Sequence, residues 1–325
     1  MTNVTFNKHI PDRVDITSAH LQCSEVIHDL FKNTPGAIRP LTTHLLSAHG
    51  KGVRAKLLLH SSMDSDGMVT GDAVRAAAAV EIVHLATLIH DDVIDEADTR
   101  RGIQSIQSKF GKKEAVLCGD YLFCLAFNVT SNLAEPYAKF AQKFTSAISR
   151  VCLGELRQFS NNHNTDIGIY DYLRTIRGKT AALFHIATYG GALIGGAPEK
   201  KLLALGRFGI YFGMIFQIVD DCKDYVLESS QAKKPTQSDI CSGVINLPLL
   251  MAYLKEPALR NAPLTINLLQ DVRRLGGVDY AYELAKKYEV KSQRILSQLE
   301  NKKQAEELTS VLSQLMGALK VESYG

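Results

Sequence analysis

The sequence predicts an all-α protein, and three observations predict it. Nearly every long apolar segment repeats at helical rather than strand spacing. Alternating strands bounded by tight turns do not stand out. The nine prolines stand mostly between the apolar runs rather than inside them. Taken in order, segment 70–95 carries Val74, Ala77, Ala78, Ile82, Leu85, Leu88 and Ile89 at i, i+3, i+4 spacing, with alanine, the best helix former, filling 76–79. Segments 151–159, 201–224 and 280–299 repeat in the same way. Segment 180–198 holds no Asp, Glu, Lys or Arg, yet its Thr180, His185, Thr188, Tyr189 and four glycines suit a buried helix better than a membrane span.

No Ser/Gly/Pro-rich linker interrupts the 325 residues, so one domain over 1–325 is expected, a helical bundle around a central apolar cavity. Hydrophobic residues make up 46% and charged residues 22%, ordinary values for a globular chain. A net charge of +3 without a basic stripe excludes nucleic acid as an expected partner. The six cysteines form no C-x-x-C pair, and residues 1–14 are polar and mixed in charge, unlike a secretory or transit segment. Reduced thiols and a cytoplasmic location are therefore expected.

The chemistry is concentrated in two copies of one pattern, D-x-x-x-D with a second aspartate beside the first. Asp91-Asp92-Val93-Ile94-Asp95 and Asp220-Asp221-Cys222-Lys223-Asp224 each end an apolar helical run. With 19 aspartates in the chain, random placement would give about 0.06 such patterns. On a helix, Asp91 stacks on Asp95 and Asp220 on Asp224, and such pairs repel unless a cation lies between them. Carboxylate oxygens are hard ligands, and cysteine and histidine do not cluster. Mg²⁺ is therefore the expected cofactor, held by aspartates together with substrate phosphates. Cations accompany both motifs. Arg100 and Arg101 follow the first, Lys179-Thr180 and Lys233-Lys234 accompany the second, and Gly50-Lys51-Gly52-Val53-Arg54 lies upstream. Lys51 and Arg54 are expected to share a helix face at i, i+3. Such groups hold diphosphates as point charges and bidentate forks.

These residues resemble the all-trans polyprenyl diphosphate synthases, the class I isoprenyl chain elongases. His90 through Asp95 and Arg100-Arg101-Gly102 are similar to the family's first aspartate-rich region. Gly119-Asp120-Tyr121-Leu122, Gly154-Glu155 with Gln158, Lys179-Thr180 and Phe216 through Asp224 follow in family order. The resemblance implies an isoprenoid synthase-like fold and a Mg²⁺-dependent transfer of an allylic group onto isopentenyl diphosphate. It implies that Asp91, Asp92, Asp95, Asp220 and Asp224 hold Mg²⁺, with Asp221 acting through its neighbours. Arg100, Lys179, Thr180, Gln217 and Lys234 would contact the allylic diphosphate, and Gly50, Lys51, Arg54, His84 and Arg101 the isopentenyl diphosphate. It also implies a homodimer and no membrane span, with at most transient membrane contact during product release.

The chain departs from the family pattern after the second motif, where Val244 stands for a lysine and Asn246 for a threonine. Weaker substrate binding or altered loop closure is expected there. Ala86 and Thr87 precede the first motif by about one turn, where short-chain members carry a bulky aromatic. Their small size predicts a product of medium or long chain, with a farnesyl or geranylgeranyl synthase as the alternative. A terpene cyclase would lack the second D-D-x-x-D, and an inactive partner subunit would lack aspartates that are present here.

Overall fold

The computed structural model describes residues 10–47, 50–134, 137–226 and 242–320. Helices dominate, as expected: α1 (Ile16–Lys32), α2 (Arg39–Leu45), α3 (Val53–Ser62), α4 (Gly71–Ile94), α5 (Ile106–Phe110), α6 (Lys112–Ser131), α7 (Ala138–Asn161), α8 (Ile169–Ile176), α9 (Ala182–Ile194) and α10 (Glu199–Val226). Beyond the second motif follow α11 (Leu247–Lys255), α12 (Ile266–Arg274), α13 (Gly277–Ser297) and α14 (Lys302–Lys320). A π-helical turn, Arg177–Ala181, joins α8 to α9.

Two small antiparallel ladders were not legible. β1 (Arg13–Asp15) pairs with β2 (Met68–Thr70), and β3 (Thr99–Arg100) pairs with β4 (Ile103–Gln104). Strands of two or three residues are too short to leave an alternating pattern in sequence.

The residues gather into two compact units. The first comprises 1–145, 186–203 and 301–304, the second 146–185, 204–300 and 305–325. In the first unit α4 packs against α1, α3 and α6. Thr70 caps its start by accepting from the Ala73 N–H at 3.1 Å, one of the four N–H groups a helix leaves unpaired. Ala76 to Ala79 are fully buried, and their small side chains let the neighbouring helices come close. The 24 residues of α4 thus form a fixed rod that ends in the first aspartate motif.

In the second unit, residues 204–226 of the long α10 bury Phe208, Phe212, Ile215, Val219 and Cys222 on one stripe, leaving the final turn for the second motif. Past the motif, α11 packs on α13. Asn246 is 1% exposed and caps α11: its Oδ1 accepts from the Leu249 N–H at 3.4 Å and from the Tyr225 hydroxyl at 2.6 Å. The departure from threonine at 246 is therefore built into a buried junction between the end of α10 and the start of α11. Val244 is half-buried.

Segment 180–198 forms the end of the π turn and α9, with Ala181, Phe184, Ala187, Thr188 and Ala192 buried, as a core helix requires. By length and composition α4 and α10 would also pass for membrane spans, but 61% and 56% of their apolar stretches are buried within the protein.

Candidate active site

The first motif divides into an outward pair and an inward residue. Helix α4 ends at Ile94, and Asp95 follows in helical conformation with its N–H donating to the Asp91 carbonyl at 2.8 Å. Asp91 and Asp95 therefore remain one turn apart on one face, half-buried and exposed respectively. Asp92 faces inward at 4% exposure. Its Oδ1 accepts from Arg100 Nε at 2.6 Å and lies against a second nitrogen of the same guanidinium. A carboxylate buried this deeply needs such a partner.

Arg100 belongs to the β3–β4 hairpin, whose two turn residues both have positive φ, 52° at Arg101 and 81° at Gly102. That is the requirement of a two-residue hairpin turn, which normally places Asn-Gly or Asp-Gly there. Arginine in this conformation costs on the order of 1–3 kcal/mol, so the surroundings must hold it. The Arg101 guanidinium lies directly against Gly50, where any side chain would collide with it.

Below the outward aspartates, His84 projects from α4 beside three guanidinium groups. Burial, then the positive charge of Arg54, Arg101 and Arg100, holds its imidazole neutral, well below the usual histidine range. Burial also lowers Arg101, opposed by the nearby Glu81 carboxylate. Arg54 is 8% exposed on α3. Glu81 also accepts from the Ala55 N–H at 2.9 Å, tying the start of α3 to α4. The result is a dense cationic cluster drawn from α3 and the β3–β4 hairpin around His84 of α4, an arrangement that favours a polyanion.

One geometric expectation fails here. Lys51 does not share a helix face with Arg54, because Gly52 is left-handed (φ 58°) and α3 begins only at Val53. Lys51 is an exposed residue of the preceding loop. Of the length-determining candidates, Ala86 is fully buried, while Thr87 is half-buried with its hydroxyl donating to the His84 carbonyl at 2.8 Å. His90 packs on Gly119 of α6, with its Nε2 3.2 Å from the Val116 carbonyl and 3.5 Å from Asp120, which accounts for the Gly119-Asp120 pattern.

The second motif repeats the division. Asp220 is exposed and pairs with Lys223 at 3.1 Å, and Asp224 is half-buried one turn on. Asp221 is 5% exposed and accepts from the Tyr172 hydroxyl at 2.6 Å and from Gln217 Nε2 at 2.8 Å. Gln217 in turn accepts from the Thr180 hydroxyl at 2.5 Å. Burial and the Asp221 charge push Tyr172 well above the usual phenol range, keeping it a donor. Thr180 and Gln217 are thus brought together in one chain of hydrogen bonds that ends on the motif.

Lys179 sits in the π turn and pairs with Glu155 of α7 at 2.9 Å. The helices approach closely enough that a side chain at Gly154 would collide with the backbone of Gly178 and Lys179. This explains the Gly154-Glu155 dipeptide: the glycine admits the turn and the glutamate holds its lysine. A π turn widens a helix locally and is frequent at functional positions. Lys234 lies outside the described residues.

Sequence reasoning missed Tyr172 and Glu81 as supports of the site. Glu81 lies three residues before His84 and so on its helical face, a signal that was available. Tyr172 stands 49 positions from Asp221 and leaves none.

The donor set fits a hard divalent cation. Each motif stacks two carboxylates one turn apart, Asp95 and Asp220 exposed and Asp91 and Asp224 half-buried, and among the described residues no three His, Cys, Asp or Glu side chains close a cage of their own. Mg²⁺ suits such sites, because it takes few carboxylates and keeps oxygen ligands for water and phosphate.

Comparison with known proteins agrees with this chemistry. The polyprenyl synthetase family model matches residues 36–285, running across both units. The chain is 34% identical over 255 residues to heptaprenyl diphosphate synthase component 2 of Bacillus subtilis, covering 75% of this chain and 72% of that protein. It is 31% identical over 280 residues to geranylgeranyl diphosphate synthase of Saccharolobus solfataricus, covering 81% and 84%. Heptaprenyl diphosphate synthase of Staphylococcus aureus superposes with a TM-score of 0.87 at 29% identity, over 94% of this chain and 98% of that one. The chain belongs to the polyprenyl synthetase family, the all-trans polyprenyl diphosphate synthases, and is a prenyltransferase.

Proposed function

We propose that the enzyme condenses isopentenyl diphosphate with an allylic diphosphate and releases a medium- or long-chain all-trans polyprenyl diphosphate. The observation that carries this reading is the cluster of Arg54, Arg100 and Arg101 around neutral His84, two helical turns from the outward Asp91–Asp95 pair on the same helix. Cations gathered from α3 and the hairpin around one face of α4, with a cation-seeking carboxylate pair farther along that helix, are what a diphosphate substrate needs.

Asp91, Asp95, Asp220 and Asp224 are the proposed Mg²⁺ ligands. Bound Mg²⁺ supplies neutralisation of the leaving diphosphate. Asp92 and Asp221 serve from within, holding Arg100 and the Tyr172–Gln217 pair. Lys179, Thr180, Gln217 and Arg100 are assigned to the allylic diphosphate, and Gly50, Lys51, Arg54, His84 and Arg101 to isopentenyl diphosphate. As the allylic C–O bond breaks, its electron pair leaves on the diphosphate, which these cations stabilise. The double bond of isopentenyl diphosphate attacks the allylic cation, and the released diphosphate takes the proton lost in forming the new double bond. Both units act as one synthase domain, supported by a family match that crosses them. A cytoplasmic location is part of the reading, supported by five free cysteines among the described residues.

Small residues at Ala86 and Thr87 support chain lengths beyond geranylgeranyl, as do two relatives named heptaprenyl synthases. Mass spectrometry of the product formed with excess isopentenyl diphosphate tests this. Products longer than geranylgeranyl diphosphate are expected, and accumulation of farnesyl or geranylgeranyl diphosphate alone would overturn the length assignment. A homodimer is proposed. The name "component 2" on one relative favours a second reading, in which a different subunit completes the enzyme. Light scattering of the purified chain at micromolar concentration separates the two, by a dimeric or a monomeric mass.

A further inference from the structure

The hairpin that carries Arg100 and Arg101 is fastened at both ends. On one side Arg100 is held by Asp92 of α4. On the other, the Gln104 carbonyl of β4 lies 2.8 Å from His44 Nε2, and His44 Nδ1 lies 3.0 Å from Lys109 Nζ. The partners fix the tautomer. A lysine ammonium only donates, so Nδ1 accepts, and a carbonyl only accepts, so Nε2 carries the proton and donates. The His44 ring also stands edge-on to Phe110 at 5.7 Å, and Lys109 sits over that same ring at 5.4 Å. His44 lies in the last turn of α2, six residues before Gly50, whose lack of a side chain admits the Arg101 guanidinium. One imidazole thus joins the segment leading to Gly50 and Lys51 with the hairpin bearing Arg101. Arg101 is also the residue whose left-handed backbone needs external support.

We propose that His44, braced by Lys109, is a positioning residue for Arg101. It touches no substrate. It holds the hairpin so that Arg101 and the Gly50-Lys51 loop present one surface to the isopentenyl diphosphate. The proposal rests on the function assigned above.

Glutamine can reproduce both bonds, its amide N–H donating to Gln104 and its amide oxygen accepting from Lys109, whereas leucine can make neither. The test compares His44→Leu and His44→Gln in the full chain. His44→Leu should raise the apparent KM for isopentenyl diphosphate roughly five- to tenfold, the worth of one or two net hydrogen bonds. The KM for the allylic substrate and kcat should change less than about twofold, and His44→Gln should restore the wild-type KM. A second readout needs no substrate. Amide hydrogen exchange of residues 99–104 should quicken in His44→Leu, stay near wild type in His44→Gln, and leave the buried amides of α4 unchanged. Equal KM effects on both substrates, unchanged hairpin exchange in His44→Leu, or failure of a folded His44→Gln to restore either property would overturn the proposal. If the wild-type enzyme performs no condensation, the assigned function falls, and the exchange experiment still decides whether His44 holds the hairpin.

Discussion

The Nε of Arg100 donates to the Oδ1 of Asp92 at 2.6 Å, and this single bond separates the aspartates of the first motif by role. Asp92 is committed to a protein cation, while Asp91 and Asp95 face outward. Asp221 is committed in the same way to Tyr172 and Gln217, while Asp220 is exposed and Asp224 half-buried one turn on.

The first prediction follows from that division. Asp91→Ala and Asp220→Ala should each lower turnover by several orders of magnitude with unchanged helical content and unfolding midpoint. Asp221→Ala should also destabilise the fold by about 1–3 kcal/mol, because it leaves the buried Tyr172 hydroxyl without its acceptor. Circular dichroism and urea unfolding beside steady-state rates check this. Near wild-type turnover in Asp91→Ala would contradict the ligand assignment, and an unshifted Asp221→Ala midpoint would contradict the supporting role.

Two substrates call for two cationic sites. Arg54→Ala should raise the KM for isopentenyl diphosphate more than that for the allylic substrate, and Lys179→Ala should do the reverse. Losing a charge-assisted hydrogen bond costs about 1.5–3 kcal/mol, one to two decades in binding. Indistinguishable profiles from the two variants would refute the partition.

Product length should respond at Thr87 more cleanly than at Ala86. Thr87 is half-buried, so Thr87→Phe should shorten the product distribution while turnover continues. Ala86 is fully buried, and forcing a phenyl ring into that packing should cost about 1–3 kcal/mol of stability as well. Product analysis with thermal unfolding separates the effects. An unchanged distribution in a folded Thr87→Phe enzyme would place the length control elsewhere.

Stability should fall in mild acid. Burial, then the neighbouring charges of His20 and Lys56, lowers His60 from 6.5 to about 4, and burial lowers His20 and His84 as well. These imidazoles are neutral when folded and protonate on unfolding, so below pH 6.5 the unfolded state binds more protons. The His60 contribution is complete above that value and lost as pH falls from 6.5 toward 4, up to roughly 3 kcal/mol, and those of His20 and His84 are lost in the same direction. Urea midpoints at pH 7 and pH 5 should differ less in His60→Leu than in wild type. Identical pH dependence in both proteins would remove His60 as a cause.

The helical fold was legible because it is written in local periodicity: the stripe through Val74, Ile82 and Ile89 and the one through Phe208, Ile215 and Val219 each mark one buried face. The outward aspartates were legible for the same reason, since i, i+4 spacing survives in any helix. Partnerships across the chain were not. Nothing near Asp92 in sequence says that it turns inward to Arg100, and nothing near Asp221 announces Tyr172. Lys51 was misplaced because a left-handed Gly52 delays the helix, and backbone hand at glycine is not encoded in spacing. The hairpin around Arg101 escaped because its strands are two residues long and its turn uses arginine where asparagine or aspartate is usual.

The most direct test of the central claim is incorporation of labelled isopentenyl diphosphate by the purified chain, given an allylic diphosphate primer and Mg²⁺. The account predicts label in a solvent-extractable polyprenyl diphosphate, dependent on the primer and abolished by excess EDTA. Absence of incorporation with every allylic primer, or full incorporation in the presence of EDTA, would contradict it.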